Sequence, residues 1–251
     1  MIGVRFVDGQ GQVIKNGGRV MKNVTGYDLV KLIAGSHGTL GVLTEVAFKL
    51  LPAPETRAAL LFEGLDAKSA VALMAAALGS PFEVSGAAHA PVGVDGAPVT
   101  MLRLEGFESS VAYRSEALAE RLAGYGSAAI ETDPDKTGAG WAWVRDAEMF
   151  AGGTGDLWRI SVKPTDATEV AARLGEARLL MDWGGGLVWA ELPPGTDLRA
   201  RLEGIGGHAT LMRADPDTAK RLGVFAPQPA PLAKIEAGLR ARFDPRGILN
   251  P

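Results

Sequence analysis

Cysteine is absent from this chain of 251 residues, and histidine, aromatic residues and net charge are all scarce. Without cysteine the chain can form neither a disulfide nor a cysteine-ligated iron–sulfur cluster. The three histidines, His37, His89 and His208, show no spacing typical of a metal site, so we predict no bound metal. A net charge of -3 lacks the basic excess expected of a nucleic-acid-binding protein. No apolar run approaches the ~20 residues of a membrane span, which argues against direct membrane insertion.

The chain does have a large apolar fraction, 47% of its residues, which is ample for a folded core. Its beginning predicts a hairpin with strands at 4–7 and 13–14, followed by a short helix at 28–34. Residues 42–51 are apolar and rich in β-branched side chains, which predicts a buried strand. Pro52-Ala53-Pro54 follows and is the predicted domain boundary, because proline cannot donate to a β-ladder.

The central part of the chain shows the order β-α-β-β-α-β twice. The first set has strands at 58–62, 82–87, 99–104 and 127–130 with helices at 66–78 and 109–122; the second has strands at 157–162, 178–181, 187–191 and 208–212 with helices at 167–174 and 197–202. A helical stretch at 136–150 separates them. This order is typical of ferredoxin-like units, so we predict one broad antiparallel sheet with helices on one face. Near the C-terminus, Leu232, Ile235, Leu239 and Phe243 predict a helix with one apolar face.

Two glycine-rich segments carry the most specific motifs. They are Lys22-Asn23-Val24-Thr25-Gly26-Tyr27-Asp28-Leu29 and Gly35-Ser36-His37-Gly38-Thr39-Leu40-Gly41-Val42. Together they resemble the second half of the FAD-binding domain of the vanillyl-alcohol oxidase, or p-cresol methylhydroxylase (PCMH), type of flavoprotein. Within that superfamily the family they resemble is the FAD-binding E subunit of glycolate oxidase. Three further segments resemble this family: Leu157-Trp158-Arg159-Ile160-Ser161, Asp182-Trp183-Gly184-Gly185-Gly186 and residues 243–251.

The resemblance implies an α+β fold in three parts. Residues 1–53 would form the C-terminal half of a PCMH-type FAD-binding domain, and residues 54–226 a ferredoxin-like α+β cap domain that holds the substrate. Residues 227–251 would form a C-terminal helix and tail that return to the first domain. The N-terminal part of the family's FAD domain is lacking, so we expect Met1 to be a truncated or misplaced start.

Flavin binding requires backbone donors and close approach to a flat ring, both of which glycine loops supply. By resemblance, the residues assigned to FAD are Asn23, Gly26, Tyr27, Asp28, Gly35, Thr39, Leu40, Gly41, Val42 and Asn250. Three of them also have structural interpretations. Gly26 and Gly41 suit turns that need a positive φ, and Asp28 suits a helix N-cap.

The resemblance further implies an FAD-dependent oxidoreductase subunit that oxidises a small 2-hydroxy acid, glycolate to glyoxylate. Its implied partners are a second flavoprotein subunit and an iron–sulfur subunit. We expect the chain in the cytoplasm, peripheral to the inner membrane only through those partners.

The reaction needs a clamp for the substrate carboxylate, and Arg159 is the first candidate and Arg145 the second. Either arginine could instead cover an aromatic ring. No histidine is a defensible base, so catalysis could lie mainly in a partner. The alternative functions are an FAD-free scaffold or interaction subunit, and a truncated fragment of such a flavoprotein.

Overall fold

The computed structural model describes residues 1–18 and 26–250. The predicted cofactor residue Asn23 lies outside these residues. The strands are β1 (Gly3–Val7), β2 (Val13–Gly17), β3 (Val42–Ala47), β4 (Thr56–Glu63), β5 (Gly86–Ala90), β6 (Val99–Gly106), β7 (Ala129–Glu131), β8 (Asp156–Ser161), β9 (Arg178–Asp182), β10 (Leu187–Leu192) and β11 (His208–Arg213). The helices are α1 (Leu29–Ile33), α2 (Ala67–Leu78), α3 (Glu108–Arg121), α4 (Pro134–Arg145), α5 (Ala167–Leu174), α6 (Leu198–Arg201), α7 (Pro216–Leu222) and α8 (Ala230–Phe243).

Aspartate N-caps fix where several helices begin. The side chains of Asp66, Asp133, Asp197 and Asp215 each accept a hydrogen bond from a backbone N–H in the first turn of α2, α4, α6 and α7, respectively. In α4 and α7 a proline follows the cap, where its missing N–H costs nothing. These local signals fix the helix starts, although α7 was not predicted from the sequence and the start of α4 was predicted at 136 rather than at Pro134.

The chain forms two compact units. The first comprises Met1–Ala53 and Gln228–Pro251, and the second comprises Pro54–Pro227. Among the described residues, no helix is both long and apolar enough to cross a bilayer.

The first unit contains a three-stranded antiparallel sheet in the order β2-β1-β3. Its small core includes Val4 and Phe6 of β1, Val30 and Ile33 of α1, and Leu40. Two residues of α8, Leu239 and Phe243, pack against this core, and the rings of Phe6 and Phe243 are 6.1 Å apart. Other apolar positions of α8 remain exposed, so only the end of the predicted apolar face is used.

The prediction of a buried strand at 42–51 is wrong in its length and in its burial. β3 ends at Ala47, and the side chains of Val42, Leu43 and Val46 are 57%, 44% and 41% exposed. β3 is an edge strand, and no element in the described part of the chain covers its apolar side chains. Hydrophobicity alone therefore predicted the strand but not its environment.

The second unit is built on an eight-stranded sheet in the order β11-β8-β10-β9-β5-β6-β4-β7. Each half has the strand order of a ferredoxin-like unit, and the halves join through β9 and β5 at the pair Met181 and His89. Helices α2, α3, α5 and α6 cover one face and bury the main core. The predicted α+β fold with a broad antiparallel sheet is confirmed.

Three details differ from the predictions for this unit, and the first is α7, Pro216–Leu222, a helix that was not predicted. The strand predicted at 82–87 is β5, Gly86–Ala90, because Glu83 adopts a left-handed backbone (φ 49°) that delays its start. The helix predicted at 136–150 is α4 followed by a break at Ala147 (φ 50°) and a short 3₁₀ turn, Glu148–Phe150. α4 packs on the sheet face opposite to the other helices, where Val144 contacts Ala88 and Met101.

Candidate functional site

A glycine loop in the first unit connects α1 to β3. Gly35 (φ 79°) and Gly38 (φ 76°) occupy the left-handed region that glycine adopts without a steric penalty. Gly41 does not have a positive φ, which corrects one interpretation of this residue; a side chain there would instead lie 2.7 Å from Cδ2 of Phe6. The loop geometry thus depends on glycine for turns at two positions and for close packing at a third.

The C-terminal tail reaches this glycine loop. Nδ2 of Asn250 donates to the carbonyl of His37 at 2.7 Å, and its backbone N–H donates to the carbonyl of Gly38 at 3.4 Å. The preceding turn is fixed by Asp244, whose carboxylate accepts from the N–H groups of Leu249 (2.8 Å) and Ile248 (3.1 Å). These backbone hydrogen bonds, from Leu249 above all, lower the pKa of Asp244.

The loop and tail present groups that suit a flat ring with carbonyl acceptors. Within the loop, the N–H of Ser36 donates to Ile33 and that of Thr39 donates to Ser36. The N–H groups of Gly38 and Leu40 have no acceptor among the described residues. Such backbone donors are what a protein uses to bind and tune a flavin, so this part of the chain fits the group.

The other predicted cofactor residues are placed as follows. Gly26 (φ 76°) leads into Tyr27, which is 89% exposed and whose carbonyl accepts from Nδ2 of Asn16 at 3.1 Å. Asp28 is the N-cap of α1 and accepts from the N–H of Lys31, which confirms its structural interpretation. Leu40 has a buried side chain, so only its backbone can face a ligand.

A second feature, which we call the arginine pocket, lies on the α4 face of the large sheet. It has a volume of about 680 Å³. Its lining includes four arginines, three tryptophans and one acid: Arg57, Arg103, Arg145, Arg159, Trp141, Trp183, Trp189 and Asp182. The excess of guanidinium groups over carboxylates in this lining favours an anionic ligand.

Arg103 is held firmly on one side of the arginine pocket. It donates to the hydroxyl and the carbonyl of Ser85, each at 3.1 Å, and pairs with Glu105 at 3.1 Å. Its guanidinium lies 4.9 Å from the ring centroid of Trp141. Gly86 makes room for that ring, since a Cβ there would be 2.9 Å from it. Arg103 therefore shapes the pocket, but its donors are already used by Ser85 and Glu105 of the same chain.

The two predicted clamp arginines both line the arginine pocket but differ in their partners. Arg145 makes two 2.7 Å contacts to the carboxylate of Asp146, which raise its pKa and lower that of Asp146. Arg159 projects from β8 and lies 5.1 Å from the ring centroid of Trp183. Its guanidinium makes no hydrogen bond or ion pair to any residue that the structure describes. Arg159 therefore has its donors available, as well as the aromatic contact expected of it.

Sequence reasoning missed Asp182, the acid in the lining of the arginine pocket. It ends β9, and its Oδ1 accepts from the N–H of Trp183 at 2.6 Å. Burial raises the pKa of Asp182, although this hydrogen bond and the positive charge of Arg103 oppose the shift. The signal was present in the alternation of β9, which directs Leu180 and Asp182 to the face opposite to Met181.

Comparison with known proteins gives relatives in sequence and in structure. The chain is 36% identical over 253 aligned positions to glycolate oxidase subunit GlcE of Escherichia coli K12. The alignment covers all of this chain and 64% of that protein. It is 48% identical over 69 residues to glycolate oxidase subunit GlcD of Bacillus subtilis 168, covering 27% of this chain and 15% of GlcD. No protein-family model matches.

Among solved structures, p-cresol methylhydroxylase superposes with a TM-score of 0.67 at 16% identity, covering 97% of this chain and 62% of that one. Together these findings confirm the resemblance drawn from the glycine-rich motifs and the PCMH-type fold that it implied. The chain spans about two thirds, 64%, of the length of GlcE.

Proposed function

We propose that this chain, a homologue of glycolate oxidase subunit GlcE with a PCMH-type fold, is an FAD-dependent oxidoreductase subunit that acts on a small 2-hydroxy acid, with glycolate as its first candidate substrate. The observation that carries the proposal is the 36% identity to GlcE along the whole chain. Bound FAD would supply the two-electron acceptor for the oxidation of the hydroxyl-bearing carbon. The residues of this chain would bind the cofactor and orient the substrate.

The first unit would hold the flavin. The N–H groups of Gly38 and Leu40 would donate to its polar edge, and Asn250 would keep the glycine loop in place through its bond to His37. Gly26, Tyr27, Gly35, Thr39, Gly41 and Val42 would supply the adjoining backbone surface. Asp28 would contribute only by starting α1.

The second unit would bind the substrate carboxylate in the arginine pocket. Arg159 is the proposed clamp, because it is the predicted arginine whose donors are not used by a described residue. A guanidinium can bind a carboxylate through two parallel hydrogen bonds, which fixes the orientation of the acid as well as its affinity. Arg145 would add positive charge while it stays paired with Asp146.

The assembly would contain a second flavoprotein subunit and an iron–sulfur subunit. The names of both relatives are those of glycolate oxidase subunits, which supports a multi-subunit enzyme. The lack of cysteine means that an iron–sulfur cluster would belong to a partner. The complex would be cytoplasmic, attached to the inner membrane through its other subunits.

An FAD titration of the purified 251-residue chain, followed by flavin fluorescence, tests the cofactor assignment. Saturable binding is expected, and anaerobic glycolate should then bleach the flavin absorbance of the assembled complex. An assembled complex that turns over glycolate with no flavin on this chain would contradict the proposal. It would favour the FAD-free scaffold instead.

A further inference from the structure

The turn between β9 and β10 has an unusual backbone for its sequence. Trp183 (φ 54°), Gly184 (φ 65°) and Gly185 (φ 100°) are three consecutive residues with positive φ. Glycine adopts this region freely, but a bulky residue such as tryptophan adopts it only at an energetic cost. Strained positions of this kind persist where the surrounding structure enforces them, and they cluster at functional sites.

The surrounding structure enforces this turn closely. Asp182 accepts from the N–H of Trp183 at 2.6 Å. A Cβ at Gly184 would lie 2.5 Å from Cδ1 of Leu78, and one at Gly185 would lie 2.9 Å from the carbonyl of Pro164. The glycines are therefore buried against α2 and the Pro164–Asp166 turn. Their packing fixes the backbone conformation of the preceding residue, Trp183.

The strain at Trp183 does not serve to bury its indole ring. The side chain is 57% exposed, so the turn holds a large aromatic group at the surface of the arginine pocket. The ring faces the guanidinium of Arg159 at 5.1 Å. Arg159 comes from β8, and β10 separates that strand from β9, so the contact joins two strands that are not neighbours.

The stack of Trp183 and Arg159 has a direct consequence for ligand binding. An arginine side chain has several rotatable bonds, and ordering it on binding costs affinity. An aromatic surface beneath the guanidinium orders it beforehand and leaves its edge N–H groups free to donate. Asp182 does not neutralise this charge, since no ion pair joins it to Arg159 within 4.0 Å.

We propose that the turn Asp182–Gly186 is a positioning device for carboxylate recognition, in which Trp183 holds Arg159 ready for the carboxylate of a 2-hydroxy acid. The inference rests on the proposed function, because it takes Arg159 as the clamp. Asp182 fixes the turn, Gly184 and Gly185 permit it, and Trp183 acts through Arg159 without touching the reacting atoms.

Calorimetric titration of glycolate into the purified full chain tests the proposal. Trp183→Gly should weaken glycolate binding about fivefold, the loss expected for about 1 kcal/mol of a solvent-exposed cation–π contact. The same variant should melt at the parent temperature or above it, because glycine relieves the backbone strain. Trp183→Phe keeps an aromatic face and should bind within about threefold of the parent.

Two further variants complete the design. Arg159→Met should abolish measurable binding, and Tyr113→Ala, which removes another exposed aromatic of the second unit outside the arginine pocket, should bind like the parent. If Arg159→Met loses binding while Trp183→Gly keeps the parent affinity, the positioning role is overturned and the clamp stands. If Arg159→Met binds like the parent, or the parent shows no binding, both the clamp and its positioning device are overturned, while the FAD titration still decides the cofactor assignment.

Discussion

The side-chain amide of Asn250 donates a 2.7 Å hydrogen bond to the backbone carbonyl of His37, which ties the C-terminal tail to the glycine loop. The two residues are 213 positions apart in the sequence. Because the loop and the tail hold each other, a change in either should affect both the stability of the first unit and the proposed cofactor binding.

Gly38→Ala tests this contact. A Cβ at Gly38 would lie 2.8 Å from Nδ2 of Asn250, and the backbone is left-handed (φ 76°). We expect a loss of about 1–2 kcal/mol from the backbone alone, with a further loss from displacement of the tail. The matched control is Gly35→Ala, which has φ 79° but no atom within 4 Å of its Cβ. Thermal unfolding and FAD titration should both show the larger effect for Gly38→Ala, and equal effects would contradict the tail contact.

Arg159 and Arg145 should differ in their effect on turnover. Arg159→Met removes the arginine with available donors, so we expect kcat/KM for glycolate to fall by a factor of about one hundred, the loss of a charge-assisted bidentate pair. Arg145→Met removes an exposed arginine paired with Asp146 and should change kcat/KM less than threefold. Steady-state kinetics of the assembled complex would check this difference. The reverse order would assign the clamp to Arg145.

Arg199 should be the most sensitive arginine for stability in the second unit. Its guanidinium donates to the carbonyls of Ala209, Leu222, Gly223 and Val224 and lies 4.9 Å from the ring centroid of Trp158. Arg199→Met removes all of these hydrogen bonds, although the N–H of Leu211 still donates to Val224, and should cost about 3 kcal/mol in the free energy of unfolding. Arg201→Met, on the exposed side of α6, is the control and should cost less than about 0.5 kcal/mol. Urea unfolding would reveal either result.

His89 should make the second unit sensitive to acid. Its side chain is fully buried, and burial lowers its pKa to about 4 from 6.5. The unfolded chain therefore binds the proton first as pH falls, so the contribution of neutral His89 to stability is complete above about pH 6.5 and is lost towards pH 4. The loss should reach about 3 kcal/mol.

The measurement for His89 is the free energy of unfolding across this pH range. His89→Gln cannot titrate and can still pair with Thr100, whose Oγ1 is 2.9 Å from Nδ1 of His89. It should flatten the dependence on pH between 6.5 and 4. A variant with the same slope as the parent would show that other groups cause the acid sensitivity.

Patterns local in the sequence predicted much of the fold. Asp28 was recognised as a possible N-cap and does begin α1, and the alternation of strands and helices predicted both ferredoxin-like halves in their correct order. Local patterns failed where a neighbour decides the outcome. Residues 42–51 are apolar enough for a core strand, yet β3 lies at the edge of a three-stranded sheet with exposed apolar side chains. The start of β5 depended on a positive φ at Glu83, which no residue-type preference predicts.

Some residues of the candidate site were identifiable from the sequence, and others were not. The glycine loop and Arg159 were singled out because glycine and arginine have few substitutes in their chemistry, and the 36% identity to GlcE supports the resemblance that those motifs carried. Asn23 lies outside the described residues and stays a prediction, as do the roles of the other site residues. Asp182 and Trp183 lay in a segment that resembled the family, but nothing in that segment assigned a chemical role to either side chain.

The sequence by itself determined the identity and order of most of the elements, because capping, alternation and glycine chemistry act over a few neighbouring residues. Only the tertiary structure decided that Asn250 meets His37, that Trp183 lies beneath Arg159, and that Asp182 is half-buried in the arginine pocket. Each of these contacts depends on strand order or chain return over long sequence separations. Burial, charge and available donors are properties of the packed neighbours, and those neighbours exist only once the sheet has formed.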